Sequence, residues 1–141
     1  MTAYADSSVF VSLYIQDSHS QDAEHLLSSG ERLWFTVLHY AECCHAIGQQ
    51  VFQRNLSLPQ AQRAFSDMDH DRVSGIWIET ELPEDVFRAC AILARRYAAK
   101  VNVRTLDSLH VACALELGAQ RFWTFDERQA RLAKAVGLKL S

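Results

Sequence analysis

Apolar positions in this chain fall into two alternating rhythms: short β-branched or aromatic runs, and longer stretches with helical spacing. Thr2 to Ala5 is a β-permissive run stopping at Asp6, and Val9 to Ile15 then suits a helix packed on a sheet. His19 to Leu27 predicts a second helix, with Ala23, Leu26 and Leu27 as its buried side and Gly30 as its break. Leu33-Trp34-Phe35-Thr36-Val37 has the character of a buried strand. Thr36 can cap a helix running to about Phe52, and Pro59 opens another at about Leu58. Ile76-Trp77-Ile78 predicts a third strand, and Pro83 starts a helix to about Ala98. Arg121 to Phe125 predicts a fourth strand, Glu127 to Ala135 a last helix, and Leu138-Lys139-Leu140 a terminal edge strand.

The segment from Leu106 to Leu117 stands apart. Leu106, Leu109, Val111, Ala112, Cys113, Ala114, Leu115 and Leu117 place apolar side chains on nearly every side of a helix, which belongs in a core. Thr105 can cap its start and Gly118 can end it. Asp107 nevertheless lies in its first turn, with His110 three residues on and on the same face. A carboxylate there needs the helix dipole, a cation or a metal as partner.

Strands alternating with helices imply an α/β fold: a mostly parallel sheet of four to five strands sandwiched by helices. A chain of 141 residues is read as one domain, without repeats or an interdomain linker. No apolar run approaches a membrane span and no signal peptide is evident. Cys43, Cys44, Cys90 and Cys113 form no disulfide-like framework and read as reduced thiols of a cytoplasmic protein. With a net charge of −3, any polyanionic partner needs a local basic patch or bound cations.

Parallel sheets bind ligands outside the carboxyl ends of their strands. Asp6 ends the first strand, Asp126 ends the fourth, and Glu42 and Asp107 lie near the starts of helices that follow the sheet edge. Four carboxylates gathered in a fold interior repel one another, and desolvation adds to the cost. Mg²⁺ or Mn²⁺ removes that penalty, because hard cations take oxygen ligands. Such ions activate water and stabilise both the attacking and leaving oxygens of a phosphodiester. Surface acids are the plain alternative for Asp6 and Asp126, and a favourable helix dipole for Asp107. Glu42 interrupts the otherwise apolar run Val37, Leu38, Tyr40, Ala41, Cys43, Cys44.

Asp6-Ser7-Ser8 after a strand, Thr36 followed by Glu42, Leu106-Asp107-x-Leu109-His110-x-Ala112-x-Ala114, and Thr124-Phe125-Asp126 occur in that order. In this the chain resembles a PIN-domain ribonuclease, and within that family the short VapC-like toxins of bacterial toxin–antitoxin pairs. The resemblance spans almost the whole chain, and its third motif is the most distinctive. It implies that Asp6, Glu42, Asp107 and Asp126 are the acidic, catalytic metal-site residues, with Ser8 and Thr124 as supporting polar neighbours. It also implies hydrolysis of RNA with Mg²⁺ or Mn²⁺, a homodimer, and silencing by a small VapB-like antitoxin that also binds DNA.

Several features are open between two uses. Glu127 directly follows Asp126 and competes with it for the same role. His110 reads as a packed histidine or as a proton donor to the leaving oxygen, and His39 and His45 flank Glu42. Arg95, Arg96, Lys100 and Arg104 either contact RNA phosphates or serve the C-terminus of the preceding helix, with Arg104 nearest the site. Asp67-x-Asp69-x-Asp71 imitates a calcium loop but has Arg72 where the turn glycine belongs, and reads as a solvated helix end. Two alternatives to a nuclease stay in view. Glu42-x-x-His45 and Asp107-x-x-His110 loosely match a di-metal carboxylate helical bundle. The acids of a non-catalytic binding module of the same fold would instead accept arginines from a partner protein.

Overall fold

The computed structural model describes residues 2–140. Five parallel strands form one sheet in the order β3-β2-β1-β4-β5: β1 (Thr2–Ala5), β2 (Arg32–Phe35), β3 (Ile78–Glu79), β4 (Arg121–Trp123) and β5 (Lys139–Leu140). The central strand, β1, is flanked on both sides, with Ala3 opposite Leu33 and Arg121 and Tyr4 opposite Phe122. Ala3, Tyr4 and Ala5 are fully buried. Because successive side chains point to opposite faces, the strands divide the interior in two. Ala3, Ala5, Leu33, Phe35 and Trp123 join one apolar cluster, while Tyr4 and Phe122 join the other.

The first cluster is covered by α1 (Ser7–Tyr14), α2 (Ser20–Leu27), α3 (Val37–Phe52) and α4 (Leu58–Val73). The second is covered by α5 (Val86–Leu93), α7 (Thr105–Glu116) and α8 (Glu127–Ala135). A π-helical turn over Ala94–Ala98 and the short α6 (Ala99–Val101) continue α5. Helix α7 is buried from Ser108 through Ala114, as an all-round apolar helix should be, while Leu106 and Leu115 reach the surface. This sheet rules out the helical-bundle alternative.

Several boundaries differ from the sequence expectation: β4 ends at Trp123 rather than Phe125, α1 starts at Ser7 rather than Val9, β5 starts at Lys139, and four more differ for a local reason. Val37 leaves β2 and opens α3, because Thr36 Oγ1 accepts from the His39 backbone N–H and starts the helix. The third strand begins only at Ile78. Gly75 (φ +74°) closes α4, and the Ile76 N–H is spent on the Asp71 carbonyl at 3.1 Å. The helix expected from Pro83 starts at Val86, after a turn in which the Val86 N–H meets the Pro83 carbonyl, and its continuation runs past Ala98 to Val101. Thr105 is the first residue of α7 and Arg104 is its N-cap, since Asp107 reaches back to the Arg104 N–H at 3.4 Å. The acidic run Asp67, Asp69 and Asp71 lies within α4 and makes no loop.

Candidate active site

The first acid stands where β1 runs out. The Asp6 backbone N–H donates to the Trp123 carbonyl (3.0 Å), tying the ends of the two central strands together. Ser8 Oγ donates to Asp6 Oδ1 at 2.6 Å, and Thr124 Oγ1 lies 3.2 Å from Oδ2. The Thr124 hydroxyl is also 2.6 Å from Gln129 Oε1 and accepts from the Asp126 N–H. Its single proton serves one acceptor at a time, so Asp6 Oδ2 is only partly satisfied. Asp6 is 7% exposed. Burial raises its pKa, and the hydrogen bonds from Ser8 and Thr124 and the charge of His110 offset only part of that rise.

Glu42 sits on the second turn of α3, which the reciprocal cap between Thr36 and His39 begins. It accepts from Ser7 Oγ (2.8 Å) and from His110 Nε2. Tyr4 Oη lies 2.7 Å from the other His110 nitrogen, Nδ1. Burial holds the Tyr4 phenol well above its ordinary pKa, so it keeps its proton beside Nδ1. Nε2 is the ring nitrogen directed at Glu42. Burial alone would raise the Glu42 pKa, but the hydrogen bond and charge of His110, followed by Ser7, bring it below the ordinary value.

Asp107, the third residue of α7, is partly buried, with Oδ2 3.5 Å from Arg104 Nε. The backbone carbonyl of Asp107 accepts from Gln129 Nε2 at 3.1 Å, which locks α7 to α8. Asp126 caps α8: Oδ1 accepts from the Arg128 and Gln129 N–H groups at 2.8 and 3.1 Å. Desolvation would raise its pKa, but those backbone hydrogen bonds and the Arg128 charge bring it down.

These four carboxylates, carried on four separate elements, line one cavity of about 430 Å³ together with Ser7, Ser8, Arg104 and His110. A neighbouring cavity of about 740 Å³, lined by Leu38, His45 and Leu106 among others, shares Glu42, Arg104 and Asp107 with it. The donor chemistry suits a hard divalent cation, since every acid offers oxygen. Among the described residues, however, no three His, Cys, Asp or Glu side chains stand close enough to hold an ion as they lie. Each carboxylate is instead engaged by the protein, so closing on a cation means exchanging some of those partners for it.

Of the expected basic cluster, only Arg104 lines the cavities. Arg95, Arg96 and Lys100 are exposed on the π-helical turn and α6, and they line neither cavity. Asn102, in the left-handed conformation (φ 58°), ends that segment and turns the chain before Arg104. Between the two adjacent acids, Asp126 lines the cavity, while exposed Glu127 lies 3.9 Å from Arg131. His39 is buried, its Nε2 bonded to the Ala5 carbonyl, and His45 lines the neighbouring cavity only. Sequence reasoning passed over three groups that shape the site: Ser7, Tyr4 and Gln129. Ser7 adjoins Asp6 and was within reach of a motif argument, whereas nothing near Tyr4 or Gln129 in the sequence announces a polar partner.

The sequence profile of the PIN domain matches residues 3–135. Among solved structures, the fold is similar to that of VapC20 from Mycobacterium tuberculosis, described as a sarcin-ricin loop cleaving toxin (TM-score 0.72, 16% identity, 98% of this chain and 97% of that one). It is also similar to VapBC2 from Rickettsia felis, solved bound to a promoter DNA fragment (TM-score 0.66, 13% identity, 100% and 98% covered). A third similar structure is FitAcB from Neisseria gonorrhoeae (TM-score 0.65, 15% identity, 99% and 96% covered). No curated protein matches the chain. The profile match covers nearly the whole length, so the chain belongs to the PIN domain family.

Proposed function

We propose that this protein is a Mg²⁺- or Mn²⁺-dependent endoribonuclease that serves as the toxin of a toxin–antitoxin pair. The observation that carries the reading is the convergence of Asp6, Glu42, Asp107 and Asp126 on one cavity at the carboxyl edge of the sheet. An acid cluster of this kind has no use for a polyanionic substrate unless cations intervene. The four acids would hold the ion or ions, which supply an activated water and stabilise charge on the phosphodiester oxygens.

The rest of the work falls to the chain's own groups. Ser8 and Thr124 orient Asp6, and Ser7 with His110 orients Glu42. Gln129 fixes the first turn of α7 against α8 and thereby sets the spacing of Asp107 and Asp126. Arg104, exposed at the rim, contacts a phosphate of the RNA. Likeness to VapC20, VapBC2 and FitAcB supports the toxin assignment and an antitoxin partner; a homodimer and a cytoplasmic setting belong to the same proposal. Among the described residues no helix is long and apolar enough to cross a membrane.

The test is RNA cleavage by the purified, partner-free protein with Mg²⁺ or Mn²⁺, beside an Asp107→Asn variant and a chelated control. Cleavage by the wild type alone, abolished by chelation, supports the reading. Equal cleavage by Asp107→Asn refutes the site, and partner binding with no metal-dependent cleavage identifies a non-catalytic module.

A further inference from the structure

The wall of the acidic cavity carries a feature that neither the acids nor the basic residues explain. His19 and Phe125 are stacked, with ring centroids 4.4 Å apart and planes within 8° of parallel, and both line the cavity with Asp6 and Asp126. Phe125 is anchored, since it packs against the apolar cluster under α1 and sits between Thr124 and Asp126. His19 is exposed, and among the described residues its ring makes no hydrogen bond.

The loop that presents His19 is fastened. Asp17 Oδ1 accepts from the His19 N–H at 2.8 Å, and Ser12 Oγ donates to Asp17 Oδ2 at 2.9 Å. Ser20 Oγ accepts from the Asp17 N–H and donates to the Ile15 carbonyl, both at 2.9 Å. The histidine is therefore held in place before any ligand arrives, which lowers the ordering cost of binding.

Resting on the ribonuclease reading above, we infer that the His19–Phe125 pair is a stacking platform for an unpaired nucleobase of the RNA next to the scissile phosphate. Three considerations point the same way. The cavity is lined by acids in a chain of net charge −3, so attraction to the RNA backbone is weak and the substrate needs an anchor that does not depend on charge. Flat rings stacked at a cavity wall offer one, because every base has a π-face. A base can reach a protein ring in this way only when it is unstacked from a helix, so the platform selects single-stranded or looped RNA over duplex.

The experiment is steady-state cleavage of a single-stranded RNA oligonucleotide by wild type, His19→Ala, His19→Trp and Phe125→Leu, with an abasic nucleotide scanned through the substrate. In wild type, one abasic position beside the cut raises KM. His19→Ala raises KM for the intact RNA about tenfold while kcat stays nearly unchanged, and the same abasic position then has no further effect. His19→Trp restores KM, and the His19→Ala defect persists at high salt, unlike that of Arg104→Ala. A His19→Ala enzyme with wild-type KM overturns the platform while leaving the nuclease intact. Weaker antitoxin inhibition with unchanged KM also overturns it, by assigning the rings to a protein contact. Absence of cleavage by the wild type removes the ribonuclease reading and the platform with it.

Discussion

Two pairs of carboxylates in the acidic cavity are held by different means. Asp6 and Asp126 are met mainly by neutral dipoles, the hydroxyls of Ser8 and Thr124 and two backbone N–H groups, with Arg128 3.6 Å from Asp126. Glu42 and Asp107 face nitrogen donors, those of His110 and Arg104. The pKa values of Asp6 and Glu42 shift in opposite directions: burial drives Asp6 up, while His110 and Ser7 outweigh burial to bring Glu42 down. Asp126, less buried than Asp6, is brought down by its backbone hydrogen bonds and Arg128. Hydroxyls fix where a buried carboxylate sits without cancelling its charge. Asp6, at the centre of the sheet, is the acid whose pKa burial raises.

The largest expected effect comes from the buried base. His110→Ala opens a void and strands the Tyr4 hydroxyl, so the unfolding free energy should fall by about 3 kcal/mol, read from the denaturant midpoint. Arg104, exposed at the rim, should change stability by less than about 0.5 kcal/mol when replaced by alanine. A comparable loss for both variants would erase the distinction between the buried and the rim partner.

Next comes Thr124→Val, which removes the hydroxyl shared by Asp6, Gln129 and Asp126 and should cost about 1.5 kcal/mol with a matching loss of cleavage. Asp6→Asn runs the other way. Its folded pKa is raised, so its ionisation opposes folding; the penalty is absent below the unfolded pKa and grows as pH climbs through the folded value. In chelator at pH 7 the variant should melt higher than wild type, on the order of 3 °C, while losing cleavage. A lower melting temperature would mean that the Ser8 and Thr124 hydrogen bonds outweigh desolvation.

Asp126→Asn is the mildest. Asparagine caps helices nearly as well as aspartate, so stability at pH 7 should stay within about 0.5 kcal/mol while cleavage is lost. The Asp126 folded pKa is lowered, so the stability it contributes is present above the unfolded pKa and disappears as pH falls through the folded value. Acid melting curves of wild type should therefore fall more steeply than those of the variant.

Much of this arrangement was readable before any coordinates, and particular residues show where that stopped. Helix α7 was legible because a segment apolar all round with one acid in its first turn has few places to go. Thr36 was legible because a hydroxyl before an apolar helix is a local signal, and the four acids because strand ends in a parallel sheet share an edge. The Tyr4–His110–Glu42 chain was not, since its members are separated by up to 106 positions and no periodicity records who meets whom. Arg95, Arg96 and Lys100 line neither cavity although they stand close to Arg104 in sequence, because the left-handed residue Asn102 turns the chain between them. Ile76 lost its place in a strand because the end of α4 claimed its N–H first.

The central claim is that these four acids together take up a divalent cation. Isothermal titration of the chelator-treated protein with Mn²⁺ at pH 7 tests it most directly, using wild type, Asp107→Asn and Glu127→Gln. Saturable binding by wild type and Glu127→Gln, weakened about tenfold or more by Asp107→Asn, is the predicted result. Binding that is absent from wild type, or indifferent to the loss of the Asp107 charge, would contradict it.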